Sequence, residues 1–224
     1  MFSNAERKYA RLNSGLPDEL TYVSYNMILG ACVVYGLFVN ALIVTFLGSY
    51  FANVNYLVIL IGYLVCAFAG VFITRSENPV ASFIGYNLVV LPIGILLSVL
   101  LPSYLASDIQ LAIDLTGIIT VVMLIAASAF PWVFEKLGRV LFVSLLVTLI
   151  ASFGAFLLGF RGIVWTYVGI VIFTLYIGYD WYKAQMYPKT LDNAIDCALD
   201  IYLDIINLFL RLLSVISGNR SKSN

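Results

Sequence analysis

The chain has 224 residues, 62% of them hydrophobic and only 11% charged, with a formal net charge of zero and a mean hydropathy of +1.00. Soluble domains carry roughly twice that charge, so the composition excludes a soluble globular protein, and the neutral balance gives no footprint for nucleic acid. Histidine is absent, which removes the usual zinc ligands, the Ser–His and Cys–His nucleophile pairs and the ordinary near-neutral pH switch.

The first twenty residues, MFSNAERKYARLNSGLPDEL, are polar and of mixed charge. The apolar run behind them is too long for a signal-peptide core and lacks a cleavage site, so residues 1–21 read as a retained cytoplasmic tail. Seven apolar runs follow, at 22–48, 54–74, 80–101, 109–130, 139–159, 162–187 and 193–215. A bilayer crossing takes about 20 such residues. The expected fold is an all-α integral membrane protein with seven transmembrane helices in a 22–215 membrane domain, followed by a polar tail at 216–224. LPSYLASD divides the third and fourth runs, FPWVFEKLGR the fourth and fifth, and GFRG the fifth and sixth. Cys32, Cys66 and Cys197 lie in apolar stretches without a metal spacing and read as small buried hydrophobes.

Orientation follows lysine and arginine. With the N-terminus inside, the cytoplasmic segments hold Arg7, Lys8, Arg11, Arg75, Lys136, Arg139, Lys183 and Lys189, against Arg161, Arg211, Arg220 and Lys222 on the other side. The bias favours a cytoplasmic N-terminus. Absent targeting signals point to a prokaryotic cytoplasmic membrane.

The last run carries carboxylates where a membrane helix seldom does. At about 100° per residue, and with Asp196 at zero, Asp200 falls near 40°, Asp204 near 80°, Asn207 near 20°, Arg211 near 60° and Ser214 near 0°. These polar residues share one arc, opposite Ile201, Ile205, Leu208 and Phe209. Charges inside a bilayer face protein or water rather than lipid, so the stripe faces inward. The alternative is an amphipathic helix on the membrane surface, although such helices are usually basic.

Asp180, in the sixth run, supplies a partner. Pro188 ends that run, and the turn into the seventh centres near Asp192, twelve residues from both Asp180 and Asp204. In an antiparallel hairpin the two carboxylates therefore lie at equal depth. Two carboxylates within hydrogen-bond reach in a poorly hydrated place share one proton and repel when both ionise, which makes a latch sensitive to pH. The competing reading leaves Asp180 at an interface with Lys183 and Tyr182 and without a role.

GYDWYKAQ in the sixth run and ALDIYLDIINLFLRLL in the seventh resemble the paired signatures of the Bax inhibitor one family, also called the transmembrane Bax inhibitor motif family. The resemblance implies six helices in two groups of three around a central C-terminal seventh helix. It also implies a pH-sensitive calcium leak channel in which Asp180 and Asp204 are the proton-sharing pair. An arginine late in the second helix serves that pair as counter-cation in the family, and Arg75 in FITRSENP matches it. An ordinary positive-inside anchor is the other reading of Arg75. The chain departs from the family pattern in two places: run 54–74 has no acidic residue, and Asp180 is followed by WYKAQ.

The expected function is a cation leak along the seventh helix, closed by Asp180 and Asp204. Asp196, Asp200 and Asn207 line the pathway, and Asp200 and Asp204 are the candidate calcium ligands. Calcium and protons are then transported or transiently bound species rather than cofactors, and the lipid bilayer is the partner. A proton-coupled cation exchanger using the same carboxylates is the alternative. An intramembrane aspartyl protease also pairs two membrane aspartates, but Asp204 sits in IYLD rather than GxGD and no Pro-Ala-Leu follows it. The chain therefore does not read as an enzyme.

Overall fold

The computed structural model describes residues 19–51, 54–157 and 163–220, and among them there is no strand. Seven long helices follow in chain order. They are α1 (Tyr22–Leu42), α2 (Tyr56–Ile73), α3 (Pro79–Leu100), α4 (Ala106–Ala129), α5 (Gly138–Leu157), α6 (Ile163–Met186) and α7 (Leu191–Arg220). A π turn at Ile43–Leu47 and one α turn at Gly48–Phe51 extend α1, and a short helix at Pro131–Glu135 precedes α5. The seven runs thus become the seven long helices, with ends shifted by a few residues. Helix α7 continues past the expected end near 215 because polarity in SVISGNR ends the apolar run without breaking the backbone pattern. The tail before residue 19, the GFRG turn with Arg161, and residues 221–224 lie outside the described residues.

By length and apolarity alone, four described segments suffice to cross a membrane: Tyr22–Phe51, Tyr56–Ile73, Pro79–Ser103 and Ala106–Ala129. Gly138–Ala151 is a shorter apolar helix. Met27, Phe46 and Phe68 are each more than two-thirds exposed. Exposed apolar surface on this scale suits a hydrocarbon solvent.

Helix starts are written in the sequence. Thr21 Oγ1 accepts the Ser24 N–H (3.2 Å), Asn55 Oδ1 that of Leu57 (2.8 Å) and Asn78 Oδ1 that of Val80 (2.9 Å). Each satisfies a donor that the first helical turn leaves open, and Pro79 adds the φ suited to a first helical position.

The chain divides into two compact units. The first holds Met1–Leu101 and Ala184–Asp200; the second holds Pro102–Lys183 and Ile201–Asn224. Each therefore takes three consecutive long helices and a part of α7. In the first unit, α2 and α3 meet through glycine. A Cβ on Gly70 would lie 2.6 Å from the Gly85 carbonyl oxygen, and one on Gly85 would lie 2.7 Å from the Gly70 carbonyl oxygen. Close backbone approach of this kind supplies the van der Waals contact that holds helices together in lipid.

The turn between α6 and α7 belongs to the same unit and is tied down by Lys189. Its ammonium donates to the carbonyls of Ala184 (3.1 Å), Gln185 (2.7 Å) and Tyr187 (3.1 Å), closing the end of α6. It also lies 4.7 Å from the centre of the Tyr25 ring and 5.7 Å from that of Tyr22. The Lys189 carbonyl accepts the Leu20 N–H at 2.7 Å, joining the turn to the start of α1. Asn193 Nδ2 donates to the Pro188 carbonyl (2.9 Å), and Asp192 places a negative charge in the first turn of α7, where the helix dipole favours it.

Candidate functional site

Helix α7 is enclosed. From Asp192 to Leu213 no residue is exposed. The side formed by Ile201, Ile205, Leu208 and Phe209 is buried. Of the polar stripe, Asp204 is buried, Asp196, Asp200, Asn207 and Arg211 are half-buried, and Ser214 is exposed. A helix lying on a membrane surface keeps one side in water, so that reading of the stripe is excluded.

The carboxylates of the stripe differ in environment. Asp204 is 6% exposed, as is Asp180 on α6, whereas Asp196, Asp200 and Asn207 are half-buried. The Asn207 side chain folds along its own helix, its Nδ2 donating to the Leu203 carbonyl at 2.8 Å. Among the described residues no three histidine, cysteine or acidic side chains converge to hold a metal ion.

Within the second unit, α6 presents Trp165, Gly169, Phe173, Tyr176 and Asp180 along one helical face, at intervals of three and four residues. Arg211 of α7 packs on this face. Its Nη1 donates to the Trp165 carbonyl (3.3 Å), and its guanidinium carbon lies 5.1 Å from the centre of the Phe173 ring. The guanidinium occupies the space over Gly169 that a Cβ would need. Asp204 lies seven residues before Arg211 on α7, and Asp180 lies seven after Phe173 on α6. Tyr176 is within electrostatic reach of both.

Asp180 has a cation on its own helix. Lys183 Nζ lies 2.7 Å from Asp180 Oδ1, with both side chains largely covered, and it also stands 5.9 Å from the centre of the Tyr179 ring. Further along the same helix, Trp181 Nε1 donates to Ser128 Oγ at 2.9 Å. This partner set anchors the region around Asp180 within the second unit.

Arg75 lies just after α2, in the first unit. It is exposed, and its guanidinium carbon is 5.4 Å from the centre of the Phe72 ring. Sequence reasoning named Lys183 only as a neighbour of Asp180 and missed what Lys189, Tyr176 and Gly169 do. A lysine just beyond a helix end is a recognisable capping signal. A glycine facing an arginine across two helices has no such local signature.

Residues 26–221 match the sequence model of the family described as Inhibitor of apoptosis-promoting Bax1. The chain belongs to this Bax inhibitor-1 family. The Bax inhibitor-1 match takes in almost all of the seven long helices. Inner membrane protein YbhL of Escherichia coli K12 is 31% identical over 142 residues, covering 57% of this chain and 58% of YbhL. Protein YrjE of Lactococcus lactis is 29% identical over 214 residues, covering 86% of this chain and 89% of YrjE. A Helicobacter pylori protein is 27% identical over 158 residues, covering 68% of this chain and 67% of its own. Together with the apolar helices, membership of the Bax inhibitor-1 family makes this an integral membrane protein.

Proposed function

We propose that the protein is a pH-sensitive calcium leak channel whose seven long helices all cross the membrane, with the N-terminus and the α6–α7 turn on the cytoplasmic side. Asp180 and Asp204 share a proton in the closed state and separate when both ionise. The observation that carries this reading is that Asp180 on α6 and Asp204 on α7 are both buried and have a common neighbour in Tyr176. Like charges in so poorly hydrated a place cannot both ionise without cost, so a retained proton stabilises the pair.

The remaining polar groups of α7 fit a pathway. Asp196 and Asp200 precede Asp204 by two turns and one turn on the same helix, and both are half-buried. Acidic groups at a mouth concentrate divalent cations. Asp200 and Asp204 are the oxygen donors that hold calcium in passage, and Asn207 continues the stripe beyond them. Calcium is cargo in this account.

The test is calcium efflux from sealed vesicles containing the purified full chain. Efflux above that of protein-free vesicles, rising as pH increases through the neutral range, is the expected result. Vesicles that hold calcium as tightly as protein-free ones at every pH would overturn the proposal.

A further inference from the structure

We infer that Arg211 is a fixed positive barrier on the side of the pathway remote from the α6–α7 turn, and that it sets the discrimination between divalent and monovalent cations. This rests on the leak-channel reading above and extends it to selectivity.

Arg211 shares the polar arc of α7 with Asp204 and Asn207 and lies seven residues beyond Asp204, about 10 Å along the helix. It is half-buried, where an arginine is costly unless it serves a purpose or finds a counter-charge. Its partners among the described residues are the Trp165 carbonyl oxygen and the face of Phe173. Both accept a cation through partial charge, and neither cancels it. The positive charge is therefore held in place and not neutralised.

Gly169 supplies the remaining feature. Any side chain at that position would overlap the guanidinium, so α6 has a gap where α7 has its charge. A staple between helices needs contact but no charge, whereas this arrangement keeps a charge on the stripe that also carries the carboxylates. A fixed charge acts on a passing ion in proportion to the ion's valence. Arginines lining pores act as barriers to cations for this reason. The acidic groups near the turn attract calcium, and Arg211 resists its passage beyond Asp204.

The experiment compares wild type, Arg211→Gln and Arg211→Lys in the same vesicles, with calcium and sodium efflux measured separately at one pH. Arg211→Gln is expected to raise calcium efflux about tenfold and sodium efflux about threefold, because the barrier scales with valence. Arg211→Lys keeps the charge and should keep the low calcium-to-sodium ratio. Arg211→Met preserves the apolar stem against Phe173 and carries the same expectation as Arg211→Gln, should the latter fail to fold. Equal increases in both ions would mean a loosened staple and overturn the inference, as would an Arg211→Gln whose calcium and sodium efflux both match a conducting wild type. Absence of calcium and sodium efflux from every protein would overturn this inference together with the leak-channel reading.

Discussion

Lys183 Nζ lies 2.7 Å from Asp180 Oδ1, one turn further along α6. The aspartate proposed as half of a proton-sharing pair therefore already has a cation beside it. An opposite charge at this distance favours the ionised carboxylate, and burial and a second carboxylate oppose it. Lys183 accordingly biases the pair toward release of its proton.

Replacing that cation should move the pH response. In Lys183→Gln the pair keeps its proton to higher pH, so half-maximal calcium efflux shifts upward by about one pH unit. Lys183→Arg preserves the charge and should stay close to wild type. An unchanged profile in Lys183→Gln would mean that the ion pair is structural only.

Entrance and gate should respond differently. Asp200 is half-buried and one turn from Asp204. Asp200→Asn should lower calcium efflux severalfold at every pH while leaving the pH midpoint in place, because it removes an attracting charge and no latch. Efflux measured across a pH series separates the two behaviours, and a displaced midpoint would contradict the division of roles.

Lys189 gives a stability prediction independent of transport. Its ammonium meets three carbonyls at the end of α6 and the ring of Tyr25. Lys189→Met leaves those carbonyls without their donor and should cost about 1–3 kcal/mol. Thermal unfolding in detergent should show a Tm lower by several degrees, and a Tm equal to wild type would show that the cap is dispensable.

The α2–α3 contact predicts a contrast between two glycines. A Cβ at Gly70 would lie 2.6 Å from a backbone oxygen, whereas one at Gly30 would meet nothing within 4 Å. Gly70→Ala should destabilise by about 1–3 kcal/mol through overpacking. Gly30→Ala should be neutral or stabilising by up to about 1 kcal/mol. The same unfolding assay reads both.

Much of this was legible in the residues, and for identifiable reasons. Apolar runs of span length located every long helix, because backbone groups in lipid must be satisfied within their own segment. The 3.6-residue period placed Asp196, Asp200, Asp204 and Arg211 on one arc. The hairpin count was wrong: the turn lies between Met186 and Leu191 and not near Asp192, which stands in the first turn of α7. Counting from Asp192 therefore does not give Asp180 and Asp204 equal depth. Pro188 breaks the chain before the helix restarts, and that restart, earlier than expected, has no strong sequence signal. The π turn at Ile43–Leu47 and the short helix at Pro131–Glu135 were not legible, since both depend on local packing that leaves no periodic signal. The Lys183 bond to Asp180 was half visible: a spacing of three permits contact on a helix, but only rotamers and neighbours decide whether it forms. The Gly169 gap was invisible, because it pairs residues that stand 42 apart in the chain.

The most direct test of the central claim is the pH profile of calcium efflux for wild type, Asp180→Asn, Asp204→Asn and the double variant. An asparagine can hydrogen-bond to the remaining carboxylate but cannot share and release a proton. The account predicts that wild-type efflux rises with pH and that all three variants lose this dependence alike, the double variant adding nothing to either single one. Wild-type pH dependence surviving in either single variant would contradict it.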